Sequence, residues 1–354
     1  MLTRRDFFKT VAAVTAVSTI TQPFNSVLAK NLNSQIIKPP ALKPGSIVGI
    51  VSPASATFVK EELDIVQDAV RALGLVPQLA PHVLDKYGYF AGKDIDRAAD
   101  INQLFSDSKV AAILPIRGGW GCSRILPYLD YQVIKENPKI IVGFSDITAL
   151  LIAIHAKTGL VTFHGPNGLT SWRTQQTESF RKVLFAGEKV IFKNHKDASD
   201  NDRLMQVKYR IRTINPGKAR GKLIGGNLSV FSTLVGSSYL PNLKGTILFL
   251  EEIGENIYRI DRFLTHLKLA GVLNQISGFI FGQCPGCTPG SDYGSLTLEQ
   301  VLSDHIKPLN IPAWHGATIG HMENILTLPI GSQVEIDANS ATITMLESGV
   351  SGNS

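Results

Sequence analysis

The chain has 354 residues, 44% hydrophobic and 18% charged, enough apolar material for two globular domains or one large one. Its net charge of +6 is modest and dispersed, with no basic stripe carrying interleaved aromatics, which argues against a nucleic-acid partner.

Residues 1–29 read as a targeting segment. TRRDFFK places Arg4-Arg5 before Phe7-Phe8 and Lys9, a twin-arginine pattern. The mildly apolar stretch from Val11 to Ile20 is far short of the ~20 strongly apolar residues of a membrane span. Val27 and Ala29 then offer small residues for cleavage before Lys30. The expectation is a twin-arginine signal peptide, passage through the twin-arginine export machinery, no stable membrane span and a periplasmic mature protein.

Beyond a proline-rich lead-in, SIVGIVSPAS reads as a buried strand of a parallel sheet. VKEELDIVQDAVRALG is an amphipathic helix closed by Gly74. LVPQLAP is a weaker strand. KDIDRAADINQLFSDS is a second helix, expected to turn Ile95, Ala98, Ala99, Ile101 and Leu104 inward. VAAILPIRGG is a buried strand running into a glycine turn, IIVGFSD is another, the helix after it starts at Asp146, and LVTFHGP completes the series. This alternation predicts an α/β fold with a mainly parallel, Rossmann- or flavodoxin-like sheet over 43–170. Residues 171–215 are polar and read as a linker, with KNHKDASDND as solvated loop. A smaller α/β domain with a mixed sheet is expected over 216–348. Its elements are the strand, glycine turn and helix of KARGKLIGGNLSVFSTLVG, a strand from Thr246 to Leu250, the helix carrying Tyr258, Ile260, Phe263, Leu264 and Leu267, the strand ISGFIFGQC, and a terminal hairpin.

Ligands of doubly wound sheets bind at the carboxyl ends of the strands. Two such ends are PIRGGWGCSR and GFSDIT. The glycines at 118, 119 and 121 admit a phosphate-binding reading, although the full nucleotide fingerprint and the P-loop Lys-Ser/Thr are missing. Ser145 fits two roles. It is a natural N-cap for the helix that follows, and it also sits where a strand-to-helix turn exposes a nucleophile beside oxyanion-stabilising N–H groups. The donors expected are the N–H of Asp146 and one from the 118–119 turn. A base would be His164 or His321, which position alone does not separate; His155 lies too far along the helix. Glu251 and Glu252 end an apolar strand, where a carboxylate needs a partner: an imidazole, or Arg259 or Arg262 on the next helix. CPGC at 284–287 lies in a loop rather than at a helix N-terminus, which favours a loop disulfide or plain thiols over redox catalysis, and histidines at ligand spacing for zinc are lacking.

Taken in order, SPAS (52–55), RGGWG (117–121), LPYLDY (126–131), GFSDIT (143–148), HGP (164–166), GGNLS (225–229), LEEIGENIYRIDR (250–262) and GHMENILTLPIG (320–331) resemble the LD-carboxypeptidase family of serine peptidases, which includes the microcin C immunity peptidase. The resemblance spans nearly all of the mature chain. It implies a Ser145–Glu251–His321 triad, an oxyanion hole from the N–H groups of Asp146 and Gly119, and no metal or cofactor. It further implies release of D-alanine from the diamino acid of a murein tetrapeptide, and a homodimer. Trp120 stands where relatives commonly carry tyrosine. Two alternatives stay open: an amidase or peptidase acting on a peptide-nucleotide antibiotic, and a non-catalytic periplasmic binding protein.

Overall fold

A computed structural model describes residues 36–194, 204–206, 209–290 and 294–352. The leader and the run 195–202 lie outside the described residues. Residues 35–354 form one compact unit. No helix among the described residues is long and apolar enough to cross a membrane.

The first sheet holds β1 (Ile47–Val51), β2 (Val76–Leu79), β3 (Val110–Pro115), β4 (Ile140–Gly143) and β5 (Thr162–His164), all parallel, in the spatial order β2-β1-β3-β4-β5. Runs such as VAAILP and IIVG are buried along almost their whole length, as strands covered on both faces must be. This order reverses direction between β1 and β3, so the ligand crevice of the fold lies beyond their carboxyl ends.

The second sheet is mixed. It contains β6 (Ile191–Phe192), β7 (Arg212–Asn215), β8 (Lys218–Asn227), β9 (Ile247–Glu251), β10 (Gly278–Gly282) and β11 (Ala313–Ala317). The short β12 (Leu328–Ile330) crosses back and pairs antiparallel with β5, closing the edge of the first sheet. The hairpin of β13 (Gln333–Asp337) and β14 (Thr342–Met345) then returns to the second sheet beside β8.

The helices are α1 (Lys60–Ala72), α2 (Asp94–Ser106), α3 (Cys122–Ile125), α4 (Tyr131–Glu136), α5 (Thr148–Thr158), α6 (Thr174–Leu184), α7 (Leu228–Leu234), α8 (Ile257–Leu269) and α9 (Leu298–Ile306). Helix α5 is apolar around nearly its whole circumference because it is packed between the sheets, touching β4 and β5 on one side and β8 on the other.

Two expectations are corrected here, and one left open is decided. The inward face of α2 is Arg97, Ala98, Asp100, Ile101, Leu104 and Phe105, while Ile95 and Ala99 face outward. The helix is rotated because the buried Arg97 guanidinium donates to the carbonyls of Pro53 and Gly121 and pairs with Asp94. The stretch read as linker contains α6, which buries Phe180, Val183 and Leu184. Cys284 and Cys287 are joined as a disulfide in a turn that accepts the Gly254 N–H through Pro285.

Candidate active site

Strand β4 ends at Gly143, and the chain turns sharply through Phe144 and Ser145. Ser145 has φ of +63°, a left-handed conformation that costs a non-glycine residue about 1–2 kcal/mol. It opens a single 3-10 turn, Ser145–Ile147, which leads into α5. The capping role expected of Ser145 is therefore not what the structure shows. The cap position is Phe144, no side chain caps the turn, and the Ser145 hydroxyl makes no hydrogen bond among the described residues.

Two neighbours impose this turn. Asn167 Oδ1 accepts the Phe144 N–H at 3.1 Å. Asp146, buried, accepts the Cys122 N–H at 2.8 Å and so ties α3 to the turn. Gly118 packs directly on the serine: a Cβ there would lie 2.8 Å from Ser145 Cβ and 3.3 Å from the Asp146 N. At Gly119, with φ of +119°, a Cβ would fall 1.9 Å from Ser55 Oγ. Ser55 in turn fastens the glycine loop, its hydroxyl accepting the Trp120 N–H at 3.2 Å. The N–H groups of Asp146 and Gly119 are used by no hydrogen bond of the described chain.

Glu251 is the last residue of β9 and is fully buried. Its Oε2 is 2.7 Å from His321 Nδ1 and also accepts the His321 main-chain N–H at 3.3 Å. Gly320 is required here, since a Cβ would lie 2.1 Å from Oε2. With Nδ1 donating to the carboxylate, Nε2 is left as the free acceptor. Burial alone would lower the His321 pKa. The Glu251 hydrogen bond and the charges of Glu251 and Glu252 outweigh it and hold the imidazole above its ordinary value.

The other candidates separate cleanly. His164 is sealed in the core between Phe144 and Phe249 and does not reach the cleft. His155 Nδ1 donates to Leu160 O, just beyond the end of its own helix. Arg259 pairs with Glu255, and Arg262 lies over Tyr258. Glu252 is buried and accepts from Asn227 Nδ2, Ser229 N and Ile253 N, which fixes the start of α7.

Ser145 and His321 line one cleft of about 420 Å³ with Ser55, Phe58, Tyr89, Arg117, Gly118, Gly119, Trp120, Phe144 and Asn167. It opens beyond the ends of β1, β3 and β4, at the sheet's reversal point. Asn167 and Ser55 are cleft residues that the sequence reading did not single out. Both sit inside quoted motifs or beside one, SPAS and HGP, but their partners are distant in the chain. Among the described residues, the donors close enough to share a metal ion, His82, Asp85 and Asp96, lie outside the cleft lining.

A strained serine on a strand-to-helix turn, an imidazole backed by a buried carboxylate and a shared cleft define a serine-type hydrolase. Models of the LD-carboxypeptidase N-terminal and C-terminal domains match residues 48–165 and 220–336. The probable murein peptide carboxypeptidase of Bacillus subtilis (strain 168) is 37% identical over 322 residues, 91% of this chain and 98% of that protein. The microcin C7 self-immunity protein MccF of Escherichia coli is 33% identical over 283 residues, 73% of this chain and 80% of that one. The solved wild-type apo structure of microcin C7 self immunity protein MccF superposes with a TM-score of 0.80 at 29% identity, covering 89% of this chain and all of that one. The chain belongs to the LD-carboxypeptidase family and is a serine-type peptidase.

Proposed function

We propose that this enzyme hydrolyses the amide between an L-centred diamino acid and a terminal D-alanine in murein tetrapeptides, with Ser145 as nucleophile, His321 as base and Glu251 as orienting acid. The observation that carries this is the buried Glu251–His321 pair opening onto the cleft of Ser145. The name of the B. subtilis relative supports the substrate class. In this reading His321 Nε2 takes the Ser145 proton as Oγ attacks the carbonyl carbon. The N–H groups of Asp146 and Gly119 stabilise the tetrahedral oxyanion. His321 returns the proton to the departing D-alanine nitrogen, and water, deprotonated by the same imidazole, releases the acyl-enzyme. Mass spectrometry of a purified tetrapeptide should show tripeptide and free D-alanine; an unchanged tetrapeptide would refute the proposal.

His321 must be neutral to accept the proton. Since its pKa is raised, kcat/KM should climb with pH through a value above the ordinary 6.5. An acid limb centred below that value would count against His321 as base.

A carboxypeptidase must also recognise a free carboxylate. Arg117 is the cationic side chain of the cleft lining, held loosely by one contact of 3.3 Å to Glu62. Losing a charged hydrogen bond of about 1.5–3 kcal/mol should raise KM about 10- to 100-fold in Arg117→Ala. Hydrolysis of the same peptide with a C-terminal amide should be unchanged by the substitution. Equal losses on acid and amide would remove Arg117 from this role.

The exposed aromatics at the cleft mouth, Phe58, Tyr89 and Trp120, favour a second reading, in which a nucleobase stacks there in a peptide-nucleotide substrate. Competition between tetrapeptide and peptidyl nucleotide decides between them. The Arg4-Arg5 leader supports a periplasmic address, which fractionation of the native host tests.

A further inference from the structure

His164 ends β5 and is wholly buried, yet neither ring nitrogen has a hydrogen-bond partner among the described residues. An imidazole carries at least one N–H, and burying a donor without a partner is costly. Glu251 Oε1 is a second orphan, equally buried, while Oε2 of the same carboxylate holds His321. The two orphans are near enough for the Glu251 carboxylate to act electrostatically on His164. The His164 ring stands edge-on to Phe249, with centroids 5.2 Å apart. Glu251 is two residues beyond Phe249 on β9 and projects from the same face of that strand. On its other side the His164 ring meets Phe144 at 6.4 Å, and Phe144 meets His321 at 4.9 Å. A third orphan, Thr327 Oγ1, lies against the side-chain position of Gly165, which puts it on the opposite face of β5. The charged groups acting on His164 are Glu251 and His321, and burial pushes its pKa down to about 4, so it stays neutral.

We propose that His164 is a positioning residue for the triad: its ring N–H holds Glu251 Oε1, across at most one buried water, while Oε2 holds His321. Two oxygens anchored on opposite sides stop the carboxylate from turning. The N–H also draws negative charge away from Oε2, so His321 is held less tightly as imidazolium. The kinetic part of this inference rests on the Ser145–His321–Glu251 reading; the spectroscopic part does not.

His164→Phe keeps a ring between Phe144 and Phe249 and removes the donor. It should lower kcat about 10- to 100-fold, the worth of one hydrogen bond to a charged group, with KM nearly unchanged. The His321 pKa, followed by ring NMR without substrate, should rise. His164→Asn and His164→Gln place an amide N–H near Nδ1 and Nε2 respectively, and whichever reaches Oε1 should restore both readouts. A folded Phe variant with the wild-type His321 titration overturns the proposal, as does a kcat loss that neither amide variant recovers. If the Phe variant does not fold, the wild type decides. The proposal requires a solvent-protected His164 ring N–H and an imidazole still neutral at pH 5; an unprotected ring, or one titrating near 6.5, overturns it. A shifted His321 titration in a protein that releases no D-alanine would leave this inference standing and refute the proposed substrate.

Discussion

Ser145→Ala is expected to lower kcat for D-alanine release by at least about 10⁴-fold while leaving the fold intact. Its hydroxyl makes no hydrogen bond among the described residues, so truncation leaves no buried group unpaired. Alanine keeps the same Cβ in the same left-handed backbone, so urea denaturation should move by less than about 1 kcal/mol. Ser145→Gly should be just as inactive yet no less stable than the wild type, because glycine adopts φ of +63° without penalty. That pairing separates chemistry from folding: the serine is kept at a position where its presence strains the backbone. Equal D-alanine release by wild type and Ser145→Ala would exclude it as the nucleophile.

Glu251→Gln is expected to cost about 10⁴-fold in kcat, with little change in KM. Glutamine fills the same buried volume, and Glu251 is not part of the cleft lining. The amide can offer its NH₂ to Nδ1, which favours the tautomer with the proton on Nε2 and removes the acceptor Ser145 needs. The residual activity carries a second signature. Burial lowers the His321 pKa and the carboxylate raises it, so without the carboxylate the acid limb should fall below its wild-type position. A Gln variant with unchanged kcat, or with an unmoved acid limb, would show that Glu251 does not orient the base.

The strands of the first sheet were legible because burial on both faces demands continuous apolar runs, and IVGIV, VAAILP and IIVG supply them. Ser145 was legible as a turn residue. Its two possible roles were not separable from position, since a cap and a nucleophile ask for the same residue at the same place. The structure decides against the cap through backbone conformation, which the letters do not carry. Glu251 and Glu252 were legible as a costly pair, but their division of labour depends on partners distant in the chain: His321 for one, Asn227 and Ser229 for the other. The rotation of α2 was hidden for the same reason, because Arg97 is buried by carbonyls from two other loops. Helix α6 has a polar first half, with its apolar residues Phe180, Val183 and Leu184 gathered at the end, so its periodicity is faint. Helix α9 carries an open signal, the reciprocal Thr297–Gln300 capping box ahead of buried Val301, Leu302 and Ile306.

Strand β12 sets the order in which this protein can come alive. The sheet that bears Ser145 is finished by Leu328–Ile330, far along the chain from its other strands, and His321 comes only just before it. Domains commonly fold as they leave the ribosome, but this sheet keeps an unfilled edge until Leu328–Ile330 has been made. A chain stopped before His321 therefore has Ser145 without the imidazole that shares its cleft and a sheet without its border. The connectivity leaves the cleft incomplete until that stretch has left the ribosome.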